Sequence, residues 1–217
     1  MAQGKFISLE GTEGAGKSTA LQFIKQYLLK ANIDVVWTRE PGGTEVAEDI
    51  RRLVLHPMSF EEIEPETELL LMFAARAQHM KKYILPALNA GKWIATDRFI
   101  DASYAYQGGG RGMEMNYIAM LDKWIVGTNY PHLTLLLDIP PEIGFQRAEL
   151  RGAEKDRIEE EKMEFFVRVR DVYLQRAKQD PARIKIIDAN VPLFAVESQI
   201  RNVLDEFIKT HHSSTRP

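Results

Sequence analysis

Phe6-Ile7-Ser8-Leu9-Glu10-Gly11-Thr12-Glu13-Gly14-Ala15-Gly16-Lys17-Ser18 is the stretch on which the fold turns. A short apolar, strand-like run passes into the pattern G-x-x-x-x-G-K-[ST] from Gly11 to Ser18. A helix follows, with Leu21, Ile24 and Leu28 on one stripe. With glycine near 7% of residues, a chance match in a chain this long has odds of roughly one in a hundred. In such a loop Gly11, Gly14 and Gly16 let the backbone N–H groups, those of Thr12, Glu13, Ala15 and Thr19 included, turn towards phosphate oxygens. Lys17 reaches the outer phosphates, the Ser18 hydroxyl suits a Mg²⁺ site, and the helix start adds positive potential. Glu13 is out of place there. Two like charges about 4 Å apart repel by about 4 kcal/mol at an effective dielectric near 20. Its carboxylate must therefore face solvent, a hydroxyl donor, or an arginine from elsewhere.

Outward from this loop, short apolar runs alternate with helix-period segments. Strands are expected at residues 6–9, 35–38, 93–96, 133–137 and 184–187, most of them apolar throughout, as strands covered on both faces are. Helices are expected from residue 17, at 45–55, 67–88, 117–125, 142–150 and 159–177, and at the end through Val196, Ile200, Val203, Leu204, Phe207 and Ile208. The alternation predicts an α/β domain with a parallel five-stranded sheet flanked by helices over residues 1–210, and a polar, flexible tail at 211–217. Two segments break the rhythm. Gly108 to Gly112 reads as a flexible loop, and 151–161 is dense in charge, as a solvated helix start would be.

The 217 residues carry 28 Lys+Arg against 31 Asp+Glu, are 45% hydrophobic and contain no cysteine. That balance excludes wholesale disorder and lacks the basic excess of a nucleic-acid binder. Absent cysteine removes disulfides, thiolate nucleophiles and Cys-ligated metals. No secretory signal and no run near 20 apolar residues is read, so a cytoplasmic protein without membrane or nucleic-acid partners is expected. His56, His79, His132, His211 and His212 have no constellation around them and read as structural or bystander residues.

N-K-x-D and D-x-x-G are missing, which disfavours a GTPase switch and leaves a small-molecule kinase with an acceptor site. Arg39-Glu40-Pro41-Gly42-Gly43-Thr44 ends the second strand, where ligands meet parallel sheets. Asp97-Arg98 ends the third, Asp97 suited to placing Mg²⁺ and Arg98 offering a planar fork to a phosphate. Asp138 after 133–137 reads as structural. Phe73 and Arg76 lie one helical turn apart, a ring able to stack on a base beside a guanidinium able to bond its edge.

In order along nearly the whole chain, the loop with Glu13, Thr38 to Thr44, Phe73 with Arg76-Ala77-Gln78-His79, Asp97-Arg98-Phe99, Ser103 with Ala105 to Gly109, and Arg151-Gly152 with Asp156-Arg157-Ile158-Glu159 resemble the bacterial thymidylate kinases. The resemblance implies the P-loop nucleoside monophosphate kinase fold and transfer of the γ-phosphate of ATP to dTMP, with Mg²⁺. It also implies that Phe73 stacks on thymine, that Arg76 and Gln107 bond its edge with Ser103 nearby, and that Arg51 and Arg98 hold the acceptor phosphate beside Glu40 and Pro41. Glu13 would approach the sugar 3′-hydroxyl. The loop has no arginine, so Arg151 and Arg157 of the lid would be the catalytic cations, as in the lid-arginine subgroup. A homodimer is implied too, for which the helix around Leu69 to Leu71 is one candidate surface. Two positions depart from the pattern: Phe73 precedes Arg76 by three residues where many members have four, with Met72 in the other place, and Ala102 stands where Ser is common.

A phosphate monoester has a second pKa near 6, so the acceptor is dianionic at pH 7 and needs no general base. The task is to bring two polyanions together, and Lys17, Mg²⁺, Arg98 and the lid arginines supply the charge. Residues 189–192 and Arg147 are candidates for the adenine. Two other readings stay open on the residues alone: a regulatory P-loop ATPase using the lid as a partner surface, and a kinase of another small acceptor.

Overall fold

The computed structural model describes residues 4–57, 61–152 and 156–212, the side chains of Arg151 and His212 excepted. Five strands, β1 (Phe6–Glu10), β2 (Val35–Arg39), β3 (Trp93–Asp97), β4 (Leu133–Asp138) and β5 (Ile184–Asp188), form one parallel sheet in the order β2-β3-β1-β4-β5. Each expected strand is present and runs one residue further, to a charged residue at its C-terminal end. Arg39, Asp97 and Glu10 thereby stand side by side at one sheet edge. The chain leaves β1 towards β3 and β2 on one side and β4 and β5 on the other, so the loop after β1 sits at the switch point where such sheets bind ligands.

The helices are α1 (Lys17–Lys30), α2 (Glu45–Leu55), α3 (Pro65–His79), α4 (Leu85–Asn89), α5 (Ile100–Ser103), α6 (Met115–Ile125), α7 (Pro141–Arg151), α8 (Met163–Gln179) and α9 (Leu193–His212). Side-chain alternation along the strands divides the core. Ile7, Leu9, Leu135 and Leu137 pack against Ile24 and Leu28 of α1 and Ile200 and Leu204 of α9. Phe6, Ile94 and Leu136 face the other way, towards α3, α4, α6 and α8. Each fully buried side chain of this kind contributes about 1.5–3 kcal/mol.

Four expectations need correcting. The helix expected at 67–88 is broken by a π-helical turn at Met80–Ile84, because Pro86 cannot donate an N–H and its ring crowds the preceding turn. Gly108, Gly109 and Gly110 are not a loose loop. They close a second π-helical segment, Tyr104–Gly110, packed so tightly against α8 that a Cβ on Gly110 would stand 2.4 Å from the Phe165 ring. The helix expected from 159 begins at Met163, since Asp156 Oδ1 accepts the N–H groups of Ile158 and Glu159, both at 2.9 Å, and holds a turn. Of the tail expected at 211–217, His211 and His212 are helical: α9 continues through His212, and His211 packs on Phe207 with ring centroids 4.4 Å apart. Residues 213–217 lie outside the described residues.

Candidate active site

The loop after β1 is built on glycines with left-handed backbone. Gly14 has φ 72°, and a Cβ there would stand 1.9 Å from the carbonyl oxygen of Gly144 on α7. Inside the loop the Lys17 ammonium donates to the carbonyls of Gly11 and Thr12, both at 2.9 Å. Burial draws its pKa down to about 8, Arg98 adds to the effect, and Glu13 opposes it.

Arg98 follows β3 with φ 65°, a strained conformation for a non-glycine residue. Its N–H bonds the Leu9 carbonyl at 2.9 Å, and its own carbonyl accepts from Thr96 Oγ1 at 2.9 Å, which together hold the turn. The guanidinium donates to the Gly11 carbonyl at 2.9 Å and to Glu13 Oε1 at 2.5 Å, and lies 4.8 Å from the centroid of the Tyr106 ring. The Tyr106 hydroxyl donates to Glu13 Oε2 at 2.8 Å. Burial alone would raise the Glu13 pKa; Arg98, Lys17 and Tyr106 outweigh it and hold the carboxyl below its ordinary range. Of the three alternatives left for this carboxylate, it meets two at once, an arginine and a hydroxyl donor.

Facing this loop, Glu40 is buried at the end of β2. It accepts from Arg76 Nε at 2.7 Å and pairs with His79 Nδ1 at 3.0 Å, while His79 Nε2 meets Thr38 Oγ1 at 2.7 Å. Arg76 also donates to Ser103 Oγ at 2.9 Å and to the Phe99 carbonyl at 3.0 Å, so its fork is fixed from three sides. Arg51 donates to the Pro41 carbonyl at 2.9 Å and has no ion pair among the described residues. Burial and the neighbouring cations Arg39 and Arg98 lower its pKa, with Glu48 and Asp156 opposing, a setting that favours an incoming anion.

One cavity of about 230 Å³ joins these groups. Glu13, Gly14, Gly16, Lys17 and Ser18 line one end; Glu40, Pro41, Arg51, Arg76, Arg98, Ser103 and Gln107 line the other. Leu55, Met72, Phe99, Ala102, Tyr106 and Ile158 form its apolar walls. Asp97 and Ser18 both line it, and Asp97 Oδ1 is a buried oxygen with no hydrogen-bond partner among the described residues, which fits a cation ligand. A second cavity of about 410 Å³ shares Gly14, Gly16, Lys17 and Ser18 and is completed by Ala15, Thr19, Arg147, Ala189, Val191 and Leu193. Arg147 donates to the Ala189 carbonyl at 3.0 Å, joining the two segments expected near the adenine. Of the loop residues expected to hold ATP, Gly11, Thr12 and Ala15 shape it from within, with Thr12 and Ala15 buried.

Two expected site residues are placed elsewhere. Phe73 is buried in the core beneath Arg76, whose guanidinium lies 4.9 Å from the ring centroid, and does not line the cavity. One residue is about 100° of helix rotation, so Met72, four before Arg76, takes the cavity face. Arg157 does not line the cavity either. It donates to the Val54 carbonyl at 2.9 Å and to Glu68 Oε2 at 2.5 Å. The Arg151 side chain lies outside the described residues. Asp138, read as structural, takes both arms of Arg170 at 2.7 and 2.9 Å.

Sequence reasoning assigned no role to Tyr106, Phe99, Leu55, Asp156, Ile158 or Glu159 in the cavity. The signal for Tyr106 was its place one helical turn after Ser103 and next to Gln107; for Phe99 it was direct succession to Asp97-Arg98. Leu55 and Ile158 carry no local signal, being ordinary apolar residues brought there by the turn at 156–160.

The family model for thymidylate kinase matches residues 9–200. A thymidylate kinase of Vesicomyosocius okutanii is 53% identical over 204 residues, covering 94% of this chain and 98% of its own. One from Alkalilimnicola ehrlichii is 49% identical over 215 residues, covering 99% of both chains. Among solved structures, thymidylate kinase from Ehrlichia chaffeensis superposes with a TM-score of 0.74 at 33% identity, over 94% of this chain and 99% of that one.

Proposed function

The chain belongs to the thymidylate kinase family and phosphorylates dTMP to dTDP with ATP for dTTP synthesis, and from that premise we propose how its residues divide the work. The donor triphosphate lies in the loop Gly11 to Thr19, with Lys17 on its outer phosphates and the adenine in the second cavity near Arg147 and Ala189. The acceptor phosphate sits between Arg51 and Arg98. The base lies against Met72 and the neighbouring apolar walls, its edge towards Arg76, Ser103 and Gln107. The observation that carries this reading is one continuous cavity lined by the loop at one end and, at the other, by Arg51, which has no ion pair among the described residues.

Ser18 and the unpartnered Asp97 Oδ1 are the residues that would hold Mg²⁺. A bound ion there would supply positive charge against the donor phosphates. Glu13 keeps Arg98 aimed across the cavity and offers its carboxylate to the sugar 3′-hydroxyl. Arg98 serves both anions, since its guanidinium also touches the loop carbonyl of Gly11. As the bond from an acceptor phosphate oxygen to the γ-phosphorus forms and the bond to the ADP oxygen breaks, negative charge passes from the attacking to the leaving oxygen, with Lys17 and Arg98 both already oriented by protein groups, so little reorganisation is needed. Arg151 remains the candidate lid cation. Residues up to about 210 work as one domain, in the cytoplasm.

A homodimer is also proposed, through the face where α2 packs on α3 and α3 on α6. Leu53, Leu70, Met120 and Trp124 are exposed there, Trp124 at 79%. Sedimentation of wild type and Trp124→Glu should give a dimer and a weakened dimer; a monomeric wild type overturns this. For the acceptor assignment, ADP release is measured with dTMP, AMP, GMP and CMP. Release confined to dTMP is expected, and equal turnover of all four, or hydrolysis indifferent to acceptor, contradicts it.

A further inference from the structure

Glu68 of α3 is fully buried and does not line the cavity, yet it collects three donors, two of which hold parts of the cavity wall. Its Oε1 accepts from Gln107 Nε2 at 2.8 Å, and its Oε2 from Arg157 Nη2 at 2.5 Å. Arg111 spans both oxygens, with Nε at 3.3 and 3.2 Å, and Nη2 lies 3.0 Å from Oε2. Burial alone would raise the carboxyl's pKa, but Arg111, Gln107 and Arg157 together hold it down, so the group is a buried anion.

Two of the donors, Gln107 and Arg157, hold parts of the cavity wall. Gln107 lines it directly. Arg157 is pinned a second and third time, through Nε to the Val54 carbonyl at 2.9 Å and through its N–H to the Leu55 carbonyl at 3.1 Å. That clamp fixes Leu55 and Ile158, both of which face the cavity from opposite elements. Arg111 ties the same anion to Glu161 and to the Phe165 ring, 5.0 Å from its guanidinium.

We propose that Glu68 is a positioning residue for the acceptor: one buried carboxylate, touching no substrate, sets the acceptor affinity by orienting the Gln107 amide and by clamping residues 157–158 against the end of α2. Arg157 is on this proposal a strut of the acceptor pocket and not a transition-state cation. The proposal rests on the reading of the cavity as the dTMP pocket.

Glu68→Gln keeps the shape, removes the charge, and turns an N–H₂ towards donors that have nothing to accept it. The KM and the calorimetric Kd for dTMP should rise about tenfold, the scale of one charge-assisted hydrogen bond, with KM for ATP within about twofold. Combined with Gln107→Ala, the two effects on dTMP affinity should be less than additive, because Glu68 acts through Gln107. A lowered Tm with both KM values unchanged, or equal rises in both, overturns the proposal. Should Glu68→Gln not fold, Arg157→Lys carries the test, since it keeps the charge and loses the fork. A raised KM for dTMP with kcat within about twofold supports the strut, and a fall in kcat at unchanged KM overturns it. If the wild-type protein turned over without dTMP dependence, the pocket reading itself would fail, which is separable from either variant's outcome.

Discussion

Replacing Arg98 with Ala removes a cation that lines the cavity and donates to Gly11 and Glu13 of the loop. Its guanidinium stands 2.5 Å from Glu13 Oε1, so the change leaves a largely buried carboxylate without its main partner, beside the expected place of a phosphate dianion. At an effective dielectric near 20, like charges about 4 Å apart repel by about 4 kcal/mol, close to a thousandfold in affinity. Arg51 and Lys17 remain and the cavity is open to solvent, so the expected loss in dTMP affinity is about a hundredfold. KM for ATP should move by less than about threefold. The repulsion has a signature that loss of a contact lacks. In Arg98→Ala, burial should carry the Glu13 pKa upward, so dTMP binding should improve as pH falls from 8 to 6, while wild type should show no such gain. The double variant Arg98→Ala with Glu13→Gln should recover about tenfold of the lost affinity. Calorimetric titration with dTMP for the four proteins of the cycle measures all of this. A double variant no better than Arg98→Ala, or a defect confined to ATP, would refute the reasoning.

Lys17, with a pKa near 8 in the free protein, should take up about half a proton at pH 8 when ATP arrives and draws that pKa back up; titration heats in buffers of differing ionisation enthalpy report this, and zero uptake would contradict it. Glu10 is fully buried, accepting from the Phe99 N–H and the Tyr173 hydroxyl at 2.7 Å each, and burial followed by the charge of Asp101 raises its pKa to about 7. The folded chain therefore holds this proton between about pH 4.5 and 7 while the unfolded chain releases it, and stability contributed by the group falls as pH rises through that window. Glu10→Gln, which cannot ionise, should be stabilised relative to wild type by about 2–3 kcal/mol more at pH 8 than at pH 5 in urea unfolding; an equal difference at both pH values would count against it. Gly14→Ala should cost more than about 2 kcal/mol of stability and abolish ATP binding, because its Cβ meets the Gly144 carbonyl and its φ is left-handed; near-native stability by urea titration would show that the loop is less constrained than its contacts imply.

The sheet and the two ends of the site were legible because their signals are local. Each strand is a short apolar run ending in charge. The loop from Gly11 to Ser18 announces its backbone through its glycines. Glu40, Asp97 and Arg98 could be assigned to the ligand edge because parallel strands all end on the same side. What escaped reading depends on rotation or on distance. Met72 and Phe73 are adjacent apolar residues, and only the packing of α3 on the sheet decides which faces inward. Arg157 sits among eight charges in the segment 151–161, and nothing near it in sequence points to Glu68, 89 residues away. The π-helical turn at Tyr104–Gly110 was hidden because glycines that signal flexibility elsewhere here admit the Phe165 ring and the Arg168 carbonyl. Glu13 lay between these cases: electrostatics demanded a partner, and the fold supplied Arg98 and Tyr106 from 85 and 93 residues away.

A crystal structure with dTMP and a non-hydrolysable ATP analogue bound together tests the arrangement most directly. The dTMP phosphate should lie within hydrogen-bonding distance of both Arg51 and Arg98, with the base against Met72 and its edge towards Arg76 and Gln107. A phosphate that contacts neither arginine, or a base seated away from Met72, would contradict it.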